Sequence, residues 1–461
     1  MYREEDLIKI EENYDKIRDD SAKEYKTYYE PTLTEISSVY NVIKQFIIKN
    51  KRIVYGGFAQ NMLIKIKNSK DVFYTEIDGA FYNLPEIADI EFYSPNPIGD
   101  LIDLTEELYK KGFKFIEGKE GMHNETYKIF VNFDNYCDIS YMSQNIYNSI
   151  PVIEIDGIKC ADPHFMLVDA YRVLNDPMTS YWRIDKSIKR FQKILNYYPI
   201  EQKNYNMTLQ IKTYNNENVL KFIRKKFIQL SKLIVIGIYG YNYYAKKVSD
   251  KQVLNVPYYE VITTELEKDS KHIYKYLNHK YGNKITTKEY YPFCEFLDNK
   301  IEYYYEGNLI LKLYGNNNRC IVYNFSNNKK THFGTYNLIM MYLFFEYYYN
   351  IINHNNQNSE MFKNIIGKFF KLRNIYLTKK NITVIDNSVF KDFTFKCYGI
   401  PMNIKRNSLL LGFQMYKQGK KKFKYNPSGK HGTIPNFKFA NSSGNQILNE
   451  NYLILKKKKN I

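Results

Sequence analysis

Asp89-Ile90-Glu91-Phe92-Tyr93-Ser94-Pro95 decides how this chain is read. Residues two apart on a strand share a face, so Asp89 and Glu91 point together while Ile90 and Phe92 face a core. Neighbouring carboxylates repel one another, and a divalent cation removes that cost. A solvated strand face is the plainer account of such a pair taken alone. Pro95 and Pro97 then open a helix over Ile98–Lys111.

Upstream, Leu33, Ile36, Tyr40, Ile43 and Phe46 recur at helical steps. A short strand, Arg52–Tyr55, runs into Gly56-Gly57, and a second helix starts at Phe58. Glycine lets the backbone approach a ligand closely. A helix start offers free N–H groups and a positive dipole end, so this turn suits a triphosphate. A Gly-Gly pair is equally just a turn. Residues 67–86 read as a polar, turn-rich insertion. Within it Glu76-Ile77-Asp78 repeats the acid-apolar-acid pattern before Gly79, as a rival to Asp89 and Glu91.

Downstream, Asp138 lies in an apolar strand, Tyr136–Met142. A buried acid needs a partner: a local lysine, or a metal shared with Asp89 and Glu91. In a two-metal site one ion lowers the pKa of a 3′-hydroxyl, and the other holds a triphosphate and the departing pyrophosphate. The order strand, Gly-Gly, helix, D-x-E strand and single-Asp strand is more specific than any of its parts.

The second half repeats this order. Ile234-Val235-Ile236-Gly237 aligns with Ile53-Val54-Tyr55-Gly56, which sets Asn242 opposite Asn61. Asn318-Arg319-Cys320-Ile321 is matched to Asn135-Tyr136-Cys137-Asp138, and the helix from Tyr336 answers the one from Phe165. An internal duplication follows. In the second copy Tyr258 stands opposite Asp89 and Ile321 opposite Asp138, leaving only Glu260 facing Glu91. One carboxylate cannot organise two metals, so this copy is expected to be inert.

The chain has 461 residues and a net charge of +18. An AT-rich codon bias explains part of its lysine content. It does not explain why residues 401–461 hold thirteen Lys/Arg and a single acid, Glu450. Such a balance favours nucleic acid as partner. Lys420, Lys421, Lys422 and Lys424, set among Phe423 and Tyr425, suit single-stranded RNA, and Lys456–Lys459 extend the basic run. Arg183, Lys186 and Arg190, following Trp182, are candidates for meeting a triphosphate or an RNA backbone. Much of the tail is expected to be loop. No apolar run is long enough for a membrane helix. The five cysteines are far apart and predict reduced thiols in an intracellular setting. The division read is 1–30 arm, 31–200 catalytic domain, 201–395 degenerate repeat and 396–461 basic tail.

Tyr55-Gly56-Gly57, Asp89 to Pro95, Cys137-Asp138-Ile139-Ser140-Tyr141-Met142 and Asp176-Pro177-Met178-Thr179-Ser180-Tyr181-Trp182-Arg183 resemble the polymerase-β-like nucleotidyltransferase superfamily. They are most similar to the poly(A) polymerase catalytic subunits of poxviruses and giant DNA viruses. The resemblance implies an α+β fold, a mixed sheet with helices followed by a degenerate copy. It also implies AMP transfer from ATP to an RNA 3′ end, with two Mg²⁺ or Mn²⁺ ions. Asp89 and Glu91 would bind both ions and Asp138 the one activating the hydroxyl, with Gly56, Gly57, Arg183 and Lys186 at the nucleotide. A homodimer or a viral processivity or capping partner is implied, in the cytoplasmic viral factory or the virion. Two departures stand out: the gap from Gly-Gly to D-x-E is long, and the serine usual after the first glycine is absent.

Overall fold

The N-terminal helices α1 (Glu4–Glu12) and α2 (Tyr14–Tyr28) bury no residue. The next helix, α3 (Leu33–Lys49), buries Ile36, Val39, Tyr40, Ile43, Phe46 and Ile47 along one stripe. Thr32 caps it, its hydroxyl accepting the Glu35 N–H at 3.3 Å. These elements come from a computed structural model describing residues 2–77, 79–83, 86–123, 125–200, 216–229, 232–294, 297–316, 319–325, 330–427, 429, 444 and 446–453. Asp78, Asn318 and Lys456–Lys459 lie outside the described residues.

The chain then runs through β1 (Ile53–Tyr55), α4 (Gly56–Lys65), β2 (Thr75–Ile77), β3 (Ala80–Asn83), β4 (Glu86–Ile87), β5 (Ile90–Ser94) and α5 (Pro97–Lys110). Next come β6 (Glu117–Glu120), β7 (Thr126–Val131), β8 (Asp134–Tyr141), α6 (Gln144–Ser149), β9 (Val152–Ile155), β10 (Ile158–Ala161), α7 (Pro163–Asn175) and α8 (Ile184–Tyr197). The second half supplies α9 (Glu217–Ile223), β11 (Ile234–Ile236), α10 (Gly237–Val248), β12 (Tyr259–Thr263), α11 (Leu266–Tyr281), β13 (Ile285–Tyr290), β14 (Lys300–Tyr305), β15 (Asn308–Gly315), β16 (Ile321–Phe325), β17 (His332–Gly334), α12 (Tyr336–Ile352) and α13 (Asn356–Lys380). Last are β18 (Cys397–Tyr398), α14 (Ile404–Lys417), β19 (Lys424–Tyr425) and β20 (Ile447–Glu450).

Contacts divide the chain into two compact units. One comprises Met1–Met142, Pro151–Pro163 and Lys405–Lys438; the other comprises Ser143–Ile150, His164–Ile404 and Phe439–Ile461. The first is built on an eight-stranded mixed sheet, β19-β6-β7-β8-β5-β1-β10-β9. Strands β2, β3 and β4 form a separate small sheet, so the turn-rich insertion has structure of its own. Arg52 fastens the start of β1 to α5 through two bonds to Asp100, at 2.6 and 2.7 Å.

The second unit carries a nine-stranded sheet that, read from its far edge, runs β20-β13-β14-β15-β12-β11-β17-β16-β18. Apart from β18, this is the order of the first sheet strand for strand, with the same directions. β1 is antiparallel to β5 and parallel to β10, as β11 is to β12 and β17. Asn61 and Asn242 confirm the match. Each accepts backbone N–H groups from the loop after its helix, Phe73 at 2.8 Å for Asn61 and Leu254 at 2.8 Å for Asn242.

Two expectations are corrected. Ile321 is not the counterpart of Asp138. Pairing sets Glu91 beside Asp138 and Glu260 beside Lys312, so Lys312 holds that position, and Ile321 starts β16. Cys320 and Cys397 are joined in a disulfide that ties β18 to β16, so these two thiols are not reduced. Among the described residues of the tail, α14 is helical, and β19 and β20 each extend a sheet.

Candidate active site

Strand β5 alternates as read: Ile90, Phe92 and Ser94 are buried, while Glu91 and Tyr93 lie on the more open face. Phe92 packs on Phe46, with ring centroids 6.3 Å apart, which anchors the strand from behind. Tyr55 of β1 faces Glu91, and Glu91 faces Asp138 across the parallel β5–β8 pair. Asp89 stands one residue before β5. The Asn135 side-chain amide donates to Asp138 at 3.0 Å and to Asp89 at 3.4 Å, so it bridges the two acids. The strands thus bring Asp89, Glu91 and Asp138 to one patch beside Gly56 and Gly57. Beneath it the Tyr55 hydroxyl bonds Ser140 at 2.7 Å, and the Tyr55 ring stacks on Tyr93 at 3.9 Å.

Gly56 has φ of +65°, and a Cβ there would lie 1.7 Å from a Glu91 carboxylate oxygen. No side chain fits. The bend turns the start of α4 onto the acid, and the Gly57 N–H donates to Glu91 at 2.9 Å. Asp138 is held by Lys128, whose ammonium reaches both carboxylate oxygens at 2.6 and 2.7 Å. Burial raises the Asp138 pKa; Lys128 works against this shift and Asp89 adds to it. Burial likewise pushes the neighbouring Cys137 thiol up, so it is inert.

The donor set, three carboxylates within an apolar sheet, suits a hard divalent ion. Asn135 Oδ1 is buried without a partner beside the same acids. Among the described residues no three acid, His or Cys side chains stand close enough to grip one ion in their present positions. Each acid instead carries a stand-in for positive charge: the helix start on Glu91, the Asn135 amide on Asp89, and Lys128 on Asp138. The residues therefore fit the ions, and binding requires these internal contacts to be exchanged.

The rival acid Glu76 pairs with Lys65 in the inserted sheet. Arg183 and Lys186 are exposed in the second unit, where Tyr181 and Trp182 are 70% and 61% exposed. Lys420 and Lys421 are exposed beside β19. Lys422 donates to the Ser408 carbonyl at 2.8 Å, and Lys424 pairs with Glu117, so these two are tied into the fold. Lys128 and Asn135 were missed as site residues. Asp138's need for a partner was the only signal for the lysine.

In the second unit the same bend survives: Gly237 has φ of +61°, and a Cβ there would meet Glu260 at 1.8 Å. Its surroundings are sealed. Glu260, Lys312 and Glu346 are 2%, 4% and 4% exposed. Lys312 reaches Glu346 at 2.7 Å, and Lys300 reaches Glu302 at 2.6 Å. Burial, with Glu346 adding, lifts the Glu260 pKa to about 8 against the pull of Lys312.

Residues 41–180 match the family model described as "Poly(A) polymerase catalytic subunit". Residues 192–457 match the model "APMV, Putative poly(A) polymerase, catalytic subunit, C-terminal". The "Putative poly(A) polymerase catalytic subunit" of Acanthamoeba polyphaga mimivirus is 34% identical over 489 residues, covering 96% of this chain and 82% of that protein. The African swine fever virus protein of the same description is 28% identical over 215 residues, covering 45% of this chain and 42% of its own. The crystal structure of the Megavirus polyadenylate synthase superposes with a TM-score of 0.84 at 30% identity, over 94% of this chain and 93% of that one.

Proposed function

This chain belongs to the family of poly(A) polymerase catalytic subunits, and from that premise we propose that Asp89, Glu91 and Asp138 hold two Mg²⁺ or Mn²⁺ ions for its reaction. The enzyme is a polynucleotide adenylyltransferase. It transfers AMP from ATP to an RNA 3′-hydroxyl and releases pyrophosphate without a template. When bound, the ions supply charge for the triphosphate and acidify the attacking hydroxyl. The observation that carries the assignment is the register Tyr55–Glu91–Asp138, with Asn135 bridging Asp89 to Asp138.

The protein's own groups do the positioning. Gly56 and Gly57 keep the start of α4 open, and its remaining N–H groups offer a seat for phosphate oxygens. Asn135 holds Asp89 and Asp138 in fixed relation. Arg183 and Lys186 are proposed to meet the triphosphate, and Lys420 and Lys421, with Lys422 and Lys424, the RNA backbone. A second copy of the chain, or a viral processivity or capping subunit, is the proposed protein partner. No helix among the described residues is long and apolar enough to cross a membrane. The viral factory or the virion is the proposed setting.

Extension of a labelled oligoadenylate with each nucleotide in turn, with Mg²⁺ or Mn²⁺, tests the site. A long ladder with ATP alone, lost in Asp138→Ala, is the expected result. A ladder that survives Asp138→Ala would remove this residue from the machinery.

A further inference from the structure

We propose that Lys128 is a resident cation of the active site: it occupies Asp138 while the metals are absent and is displaced from it when an ion binds. The inference rests on the assignment of Asp138 to metal binding. Two observations carry it.

The first is geometric. The Lys128 ammonium lies 2.6 and 2.7 Å from the two Asp138 oxygens, so it covers both of the atoms that an ion would use. An ammonium and a divalent ion cannot share that carboxylate edge. The pair is poorly hydrated, with side-chain exposures of 26% and 14%, so the acid gains more from its cation than a surface acid would. Lys128 lies directly opposite Asp138 on the neighbouring strand. A short sideways rotation of its four-carbon stem is enough to release the acid and aim the ammonium at an arriving phosphate.

The second is the inert copy, where the same cross-strand position has its charges exchanged. Lys128 and Asp138 face one another across β7–β8, and Glu302 and Lys312 face one another across β14–β15. There the lysine has moved onto the strand of the lost acid, is 4% exposed and is bonded to Glu346. A built-in ammonium has replaced the ion permanently. Both copies thus place a lysine at the seat of a cation, one movable and one fixed. Lys128 is a positioning residue: in the resting protein it acts through Asp138.

Mn²⁺ binding to the full chain without nucleotide or RNA, followed by electron paramagnetic resonance, tests this. Lys128→Met is expected to bind Mn²⁺ more tightly than wild type, by roughly fivefold or more, fivefold being what removal of a competing surface ion pair would give. Lys128→Arg, which keeps the charge, is expected to stay near wild type. Equal or weaker binding by Lys128→Met would overturn the proposal. Amine labelling of the wild-type protein, read by mass spectrometry, tests it independently of whether that variant folds. Labelling at Lys128 is expected to rise on Mn²⁺ addition, and unchanged labelling counts against displacement. Asp138→Asn separates the two readings. If it binds Mn²⁺ as wild type does, the metal assignment fails; if it loses binding while Lys128→Met stays at the wild-type affinity, only the resident-cation proposal fails.

Discussion

Replacing Glu260 by Gln converts a buried acid into a neutral group of nearly the same shape, and its effect on stability should depend steeply on pH. The folded-state pKa is about 8, against an ordinary 4.5. Between these values the native state keeps a proton that the unfolded chain releases. Wild-type stability therefore falls as pH rises through that window and levels off above it. The Gln variant carries no such dependence. From about pH 5.5 to about pH 9, wild type should lose about 3 kcal/mol relative to Glu260→Gln, from the span below the folded pKa at ~1.36 kcal/mol per unit. Urea unfolding of both proteins at the two pH values, compared as a difference, removes the titrations that the two proteins share. A difference that stays flat would refute the reasoning: Glu260 would then be ionised throughout, with Lys312 and Lys300 outweighing its burial.

Gly56→Ala should lower oligoadenylate extension by roughly 100-fold or more, because the new Cβ drives the Glu91 carboxylate out of place; kcat near wild type would show that the acid can move freely. Lys312→Met should destabilise the protein by about 3–5 kcal/mol, since it strands the buried Glu346 carboxylate without its cation. Thermal unfolding measures this, and a shift close to zero would mean that Glu346 simply takes up a proton. Cys320→Ser should cost about 2–4 kcal/mol by opening the link to Cys397, 77 residues away. Wild type in strong reductant should then unfold like the variant, and a variant as stable as oxidised wild type contradicts this.

The legible parts of the sequence were those with period or position. Alternation around Glu91 gave the strand, and the bury-or-pair rule singled out Asp138. The repeated strand-glycine-helix gave the duplication. The true counterpart of Asp138 was hidden because a shared Asn-x-Cys pattern at residues 318–320 drew the alignment past β15. Only hydrogen-bond register identifies Lys312. Lys128 was invisible because a single lysine in a strand carries no periodic signal until its cross-strand neighbour is known. Strands of two and four residues, β19 and β20, are shorter than any window in which alternation can be seen. The disulfide joins cysteines whose separation says nothing about their meeting.

The placing of β19 and β20 has a consequence for synthesis on the ribosome. β19 lines the edge strand β6 of one sheet, and β20 lines the edge strand β13 of the other. Both emerge after every other strand among the described residues has been made. Throughout translation each half therefore presents an open edge, with unpaired backbone groups able to join another chain. A nascent chain stalled before Lys424 is left with both edges uncovered at once. The segment that carries β19 and β20 thus acts as a paired selvedge, finishing two woven sheets that were begun far apart in the chain.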